Sequence, residues 1–245
     1  MEIVINNLHF KSDNKIVEGF NITLQSNRII GIYGNRYLEF INDIKNNNLD
    51  SETTYFKNAM ILNHNYHFLT NNVRDEMYLS IKDYIKNENT IIDMLEFFKL
   101  DSNYLNRDIY SLSSTERKII KLIIAYLSDA KTIVIDYLFN GLDYNYMKLF
   151  KMFIKKIRDN DKLVFIHEDD IDLIYSFVDR FMIVDTNLIT INTRNKVLEN
   201  ENINNISGFS IPKLYQIQQL LKKKNINIGN CYSVRELIKE VKMNA

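Results

Sequence analysis

The sequence predicts an α/β fold in which a parallel β-sheet is covered by helices on both faces. Short apolar runs recur at 28–33, 132–136 and 162–166, and the segments between them carry apolar residues at helical spacing. Strands that alternate with helices pair in parallel, and such sheets are buried on both faces. The chain has 245 residues, enough for one domain of about 200 residues and a small appendage.

The first half of the chain contains three predicted strands and three predicted helical segments. They lie at 2–5, 28–33 and 58–62, and at 37–44, 73–86 and 90–99. The first helix follows the second strand directly after Gly34, which is the arrangement at the start of a nucleotide-binding unit. The last two segments predict a helical insertion.

The second half begins with a helix from about 114 to 127. Ser113 is a good N-cap for it, and Glu116 three residues later completes a capping-box pattern. The strands and helices that follow lie at 132–136, 162–166 and 180–185, and at 145–158 and 170–177. Beyond residue 195 the composition turns to Asn and Glu, which predicts a linker before two amphipathic helices.

The bulk composition excludes some classes of partner. The 31 basic and 31 acidic residues leave no net charge, so no global field favours nucleic acid, and we expect no nucleic-acid partner. No leader segment and no run of about 18 apolar residues occurs, so we expect a chain that stays inside the cell without crossing a membrane. Cys231, the single cysteine, is expected to be an inert thiol in a polar loop.

Two motifs carry a family resemblance. Residues 112–116 read LSSTE, and residues 135–143 read IDYLFNGLD. They are similar to the L-S-G-G-Q and L-D-E-P-x-x-G-L-D motifs of ATP-binding-cassette (ABC) ATPases. The resemblance implies a parallel sheet with antiparallel N-terminal strands in a domain at 1–195, a helical subdomain at about 66–130, a linker at 196–207 and a C-terminal helical domain at 208–245.

Within that family the chain most resembles the ATPase subunits of energy-coupling factor (ECF) importers. Residues 104–107 read YLNR, similar to the Y-L-D-R that precedes the signature turn in those subunits. The tail from Gly208 to Ile228, with the only proline at Pro212, and the segment from Tyr232 to Val241 resemble their short C-terminal domain.

The phosphate-binding loop of the family, G-x-x-x-x-G-K-[S/T], should begin at Gly34. Either Glu39 and Phe40 occupy the second glycine and the lysine positions, or about four residues are deleted and the loop is short. Neither alignment leaves a cradle of backbone amides and an ammonium for phosphate. In the second alignment Arg36 falls near the lysine position, where it either contacts nucleotide or is a solvated turn residue.

The resemblance assigns catalytic roles to the ends of two strands. Asp136 matches the acid that holds Mg²⁺, and His167 matches the histidine that contacts the γ-phosphate; each is otherwise a structural residue at a strand end. The general base should follow Asp136, but Tyr137 stands there, and a phenol with a pKa near 10 cannot act as a base at neutral pH. The acidic run 168–172 is expected to be a solvated helix start.

Further positions of the nucleotide site follow from the same resemblance. His64 stands where a glutamine senses Mg²⁺ and the membrane subunit, and Asp143 ends the Gly-Leu-Asp turn. Phe10 is the only candidate for the aromatic residue that stacks on adenine, although a core position is the expectation for it.

Ser113 and Ser114 could bind a γ-phosphate held on a partner subunit, because family members pair head to tail. Thr115 and Glu116 replace Gly and Gln there. An acid that faces phosphate is unfavourable unless its side chain turns away.

The sequence therefore predicts a degenerate ABC subunit of an importer. It would bind ATP and Mg²⁺ weakly or not at all, pair with an active ATPase subunit as a heterodimer, and dock on an integral membrane subunit at the cytoplasmic face of the membrane. Two alternatives stay open: an active ATPase with a rearranged phosphate loop that uses Arg36 and His167, and a soluble regulatory protein of ABC fold.

Overall fold

The computed structural model describes residues 2–12, 15–45, 56, 59–81, 84–185, 188–200, 203, 206 and 209–244. The predicted linker at 196–207 and the predicted start of the C-terminal domain at Gly208 lie partly outside these residues. In β1 the side chain of Phe10 is also outside the description. The proposed domain boundaries stay predictions.

The strands form a six-stranded sheet and a separate hairpin. They are β1 (Glu2–Ser12), β2 (Lys15–Gln25), β3 (Ile29–Tyr33), β4 (Met60–Leu62), β5 (Thr132–Asp136), β6 (Leu163–His167), β7 (Arg180–Asp185) and β8 (Leu188–Thr193). The sheet has the order β4-β5-β6-β3-β7-β8, and β1 pairs with β2 in an antiparallel hairpin. All pairs in the sheet are parallel except β7 with β8.

The helices connect these strands and continue to the C-terminus. They are α1 (Tyr37–Lys45), α2 (Val73–Ser80), α3 (Tyr84–Phe97), α4 (Ser114–Leu127), α5 (Tyr144–Asp159), α6 (Ile171–Tyr175), α7 (Arg194–Leu198), α8 (Lys213–Lys223) and α9 (Val234–Asn244). Two short 3-10 helices, Ser102–Asn106 and Ile109–Ser111, lead into α4. Together with the sheet they confirm the predicted α/β class with a helical insertion.

The central strands β3, β5 and β6 are buried on both faces because their residues alternate between two apolar cores. In β3, Ile29 and Tyr33 belong to the larger core, which α2 to α6 cover. Ile30 and Ile32 belong to the smaller core with Phe40 of α1, and the hairpin also contributes side chains there. The continuous apolar strands of the sequence are thus explained by burial on both faces.

The helical insertion divides differently from the prediction. We expected helical segments at 73–86 and 90–99. In the structure α2 ends at Ser80 and α3 already begins at Tyr84. Ile81 takes an extended conformation with φ −121° and buries its side chain in the larger core, and this ends α2. Burial of one apolar side chain thus outweighs the local helical periodicity.

The C-terminal helices α8 and α9 pack through a small apolar cluster. Cys231 lies in it beside Ile228 and Leu237, so the expectation of a polar loop for this residue was wrong. Its backbone amide donates to Gln218 Oε1 at 2.9 Å, and Gln218 Nε2 donates to its carbonyl at 2.8 Å. Burial raises the pKa of the Cys231 thiol, which disfavours the reactive thiolate.

The turn between β3 and α1 is unusually tight. Only Gly34, Asn35 and Arg36 separate the two elements. Gly34 has φ +110°, and a Cβ there would lie 2.2 Å from the carbonyl oxygen of Val184 in β7. The turn therefore requires glycine for its conformation and for its contact with the neighbouring strand.

We predict that Gly34→Ala destabilises the protein more than Gly141→Ala does. Both glycines have positive φ, which costs a residue with a Cβ about 1–2 kcal/mol, but a Cβ at Gly141 would meet no atom within 4 Å. The backbone clash at Gly34 should add roughly 1–3 kcal/mol. Urea denaturation followed by circular dichroism measures both free energies of unfolding, and equal losses would contradict the packing role of Gly34.

Candidate functional site

The carboxyl ends of β3, β5 and β6 bring three predicted regions together. Asp136, the last residue of β5, pairs in register with His167 at the end of β6. β3 lies beside β6 and ends at Tyr33, directly before Gly34. Ligands of open parallel sheets bind at this edge, which makes it the candidate site.

His167 is buried and enclosed by three tyrosines. Its Nδ1 donates to the carbonyl oxygen of Ile32 at 2.8 Å, since a carbonyl can only accept. The ring of Tyr37 stacks on the imidazole with centroids 4.0 Å apart and an interplanar angle of 21°. Tyr33 and Tyr137 contact the imidazole edge-on, each at 5.1 Å. We call these four residues the His167 cluster.

A chain of hydrogen bonds closes one side of the His167 cluster. The hydroxyl of Tyr37 donates to Tyr137, and Tyr137 donates to Asp169 Oδ1 at 2.9 Å. Tyr137 has a left-handed backbone with φ 57°, and its amide donates to the carbonyl of His167 at 3.1 Å. Burial raises the pKa of Tyr37 and of Tyr137, so both phenols stay protonated at neutral pH.

The turn at Gly34 lacks the geometry of a phosphate cradle. The amide of Arg36 donates to the carbonyl of Val184 at 3.0 Å, and that of Tyr37 donates to the carbonyl of Gly34 at 3.4 Å. Arg36 itself is paired with Glu39 at 2.5 Å. Of the two alignments, the short turn favours the deletion, and the residues present do not fit a bound triphosphate.

Asp136 is buried at the strand end where the acid was expected. Its Oδ1 has no hydrogen-bond partner, and burial raises the pKa of the carboxyl, against the opposing influence of His167 and His64. Mg²⁺ prefers several oxygen ligands in near-octahedral geometry. In the described part of the chain no group of three His, Cys, Asp or Glu residues could hold a metal ion.

Glu168 departs from the expectation of a solvated acidic helix start. Only 2% of it is exposed, and its Oε1 accepts from the amide of Phe139 at 2.6 Å. Burial raises the pKa of this carboxyl to about 7. The sequence interpretation was wrong for Glu168, because this residue follows β6 directly and its buried carboxyl accepts a hydrogen bond from the turn after β5. Asp170, in contrast, caps α6 as expected.

The turn before α4 exposes its two serines. Ser113 caps the helix, and its hydroxyl accepts from the amide of Glu116 at 3.2 Å. The Glu116 carboxylate accepts in return from the amide of Ser113 at 2.6 Å and from the hydroxyl of Tyr104 at 2.7 Å, and Arg107 lies 3.5 Å away. The acid is therefore turned back towards the preceding segment.

The remaining predicted residues lie at the edges of this region. Asp143 caps α5, and its Oδ1 accepts from the amide of Tyr146 at 2.8 Å. His64 is exposed and borders a cavity of about 630 Å³ beside Ser114, Asp136 and Tyr137.

The same cavity is lined by three basic residues that the sequence interpretation did not single out. They are Arg117, Lys118 and Lys121 of α4. The sequence did contain a signal for them: the three cations follow Ser114 by three, four and seven residues, and positions at this spacing share one face of a helix.

Comparison with known proteins agrees with the fold. The sequence matches no protein-family model and no curated protein. A solved structure described as the ATP-binding subunit of an ABC transporter matches with a TM-score of 0.67 and 13% identity, covering 91% of this chain and 99% of that chain. A second, described as an inward-facing metal-chelate type ABC transporter, matches with a TM-score of 0.66 and 14% identity over 84% and 88%.

The chain therefore has the fold of ABC transporter ATP-binding subunits. At these sequence identities the likeness covers the fold alone. Among the described residues, no helix combines the length and hydropathy needed to cross a bilayer.

We predict that Glu168→Gln becomes more stable than the wild type as the pH rises. The folded-state pKa of about 7 exceeds the ordinary value of 4.5, so the stability linked to this proton is full below pH 4.5 and is lost as the pH rises through 7. Gln stays neutral and keeps the oxygen that accepts from Phe139. The difference should grow to about 3 kcal/mol.

Urea denaturation of both proteins at several pH values from 5 to 8 checks this difference. Glu96→Gln on the exposed side of α3 controls for the loss of one acidic charge. A difference between wild type and Glu168→Gln that does not change with pH would show that the carboxyl is not protonated in the folded protein.

Proposed function

We propose that this chain is a degenerate ATP-binding-cassette subunit of a membrane importer of the ECF type. It pairs with an active ATPase subunit and couples that subunit to an integral membrane subunit at the cytoplasmic face. The observation that carries the proposal is the ring of Tyr37 stacked on His167. It lies at the strand edge where the resembled family binds phosphate.

The contacts of the His167 cluster argue against hydrolysis by this chain. Tyr137 takes the place of the general base, and its hydroxyl donates a hydrogen bond to Asp169. Arg36, the cation nearest to the expected lysine position, is already paired with Glu39. These contacts disfavour the alternative of an active ATPase with a rearranged loop, and we expect ATP and Mg²⁺ to bind weakly or not at all at this edge of the sheet.

The α4 turn supports a role across a subunit interface. Ser113 and Ser114 are exposed at the N-terminus of a 14-residue helix, where backbone dipoles favour anions. Glu116, the acid that would repel a phosphate, is held by Tyr104 and by the Ser113 amide. The two hydroxyls could thus complete a nucleotide site on an active partner.

The helical insertion supports docking on another subunit. Leu69, Tyr78 and Leu79 are 81%, 61% and 61% exposed, and all three belong to the segment that ends with α2. Exposed large apolar side chains on one segment are typical of an interaction surface. The narrower ECF assignment rests on the resemblance at 104–107, 208–228 and 232–241.

We predict that the purified chain does not hydrolyse ATP. Release of phosphate from Mg-ATP should stay at the background of a preparation without the protein, because this chain offers neither a phosphate cradle nor a carboxylate base. Turnover that Asp136→Asn abolishes would overturn the proposal. Asp185→Asn, at the end of β7, is a matched control for a strand-end carboxylate.

We predict that the tagged chain, isolated with its membranes, co-purifies with an ATPase subunit and an integral membrane subunit. In that complex Ser114→Glu should lower ATP hydrolysis at least about tenfold, since an acid beside the partner's phosphate raises the barrier. Asp136→Asn should leave the rate within about twofold, because this chain's own site is closed. Recovery of the tagged chain without either subunit would contradict the pairing, and so would equal effects of Ser114→Glu and Asp136→Asn on the rate of ATP hydrolysis.

A further inference from the structure

The cavity beside α4 adjoins the closed region over β3 and shares Asp136 and Tyr137 with it. It lies between the segment after β4, one face of α4 and the turn after β5, and encloses about 630 Å³. Its lining residues are Asn63, His64, Ser114, Arg117, Lys118, Lys121, Asp136, Tyr137, Leu138 and Asn140. Cavities of this size hold small molecules, and this one is lined mainly by polar and basic groups.

The basic residues face the cavity because of helical spacing. Ser114, Arg117, Lys118 and Lys121 lie at positions that share one face of α4. Ile119, Ile120 and Ile123 lie on the other side of the helix and anchor it in the larger core. The core therefore fixes the direction in which the three cations point.

None of the three cations forms an ion pair with a described carboxylate. Each donates to a backbone carbonyl instead. Arg117 Nη1 donates to Leu112 at 2.7 Å, and Lys121 Nζ donates to Asn63 at 3.1 Å. Lys118 Nζ donates to the carbonyl of Asn140.

The acids near the cavity do not balance this charge. Asp136 is the only carboxylate among the lining residues. Glu168 is not a lining residue, although it acts on Lys118 electrostatically. Burial, together with repulsion from Arg117 and Lys118, lowers the pKa of Lys121 to about 8. A bound anion would relieve this repulsion between like charges.

We propose that the cavity binds a small phosphorylated anion through Arg117, Lys118 and Lys121. A guanidinium with two ammonium groups suits the several oxygens and the multiple charge of a phosphate or diphosphate group. The hydroxyl of Ser114 and the side-chain amides of Asn63 and Asn140 add further neutral donors. This site needs only the single chain, so it does not depend on the proposed pairing with an ATPase.

Isothermal titration calorimetry of the purified chain with inorganic phosphate, pyrophosphate and ATP, at low ionic strength, tests the site. We expect pyrophosphate to bind more tightly than phosphate because it carries more charge. Lys121→Gln and Arg117→Gln should each weaken binding about tenfold or more. Lys239→Gln, an exposed lysine of α9 outside the cavity lining, should change the affinity less than about twofold.

The three anions also separate the sources of the phosphate group. Tighter binding of ATP than of pyrophosphate identifies a nucleotide, whereas equal or weaker binding identifies a free phosphorylated compound; both outcomes support the site. If a variant does not fold, the wild-type chain is tested instead. Bound pyrophosphate should protect Lys118 and Lys121 from chemical acetylation, which mass spectrometry measures. The absence of saturable binding for all three anions, or binding unchanged by both substitutions, would overturn the proposal.

Discussion

The contact between Gly34 and the carbonyl of Val184 governs the candidate site. It places the turn directly against β7, and only three residues separate β3 from α1. A phosphate-binding loop needs a longer turn whose amides point outward, but here the amide of Arg36 is directed to Val184. The first helical residue, Tyr37, is consequently placed over the imidazole of His167.

Aromatic rings, rather than charged side chains, pack around His167 at this edge of the sheet. Three phenols surround His167, and two of them are linked in a hydrogen-bond chain that ends at Asp169. Tyr137 keeps a left-handed backbone in this arrangement, which costs a non-glycine residue about 1–2 kcal/mol. The ring contacts and the hydrogen bonds offset this cost and stabilise the arrangement.

Groups that attract anions are concentrated on α4 instead. Its N-terminus exposes Ser113 and Ser114, and the same face continues with Arg117, Lys118 and Lys121. The capping box holds Glu116 away from that face. Both proposals, the role across an interface and the anion site in the cavity, rest on this part of α4.

Local patterns in the chain were sufficient to predict the parallel sheet, the N-cap at Ser113 and the strand ends at Asp136 and His167. These features depend on neighbours within a few positions, where the periodicity of apolar residues and capping chemistry are visible in the sequence. The similarity of the two motifs to ABC ATPases added the antiparallel N-terminal strands, whose pairing direction periodicity could not supply.

The contacts that give the site its character join residues far apart in the chain. Tyr37 meets His167, Glu168 turns inward to the amide of Phe139, and Lys121 reaches the carbonyl of Asn63. In an isolated segment, water would form hydrogen bonds with the polar group of each of these side chains equally well. Only the packing of β3, β5, β6 and α4 around one core removes the water and selects these partners, and for that reason the folded chain alone specifies them.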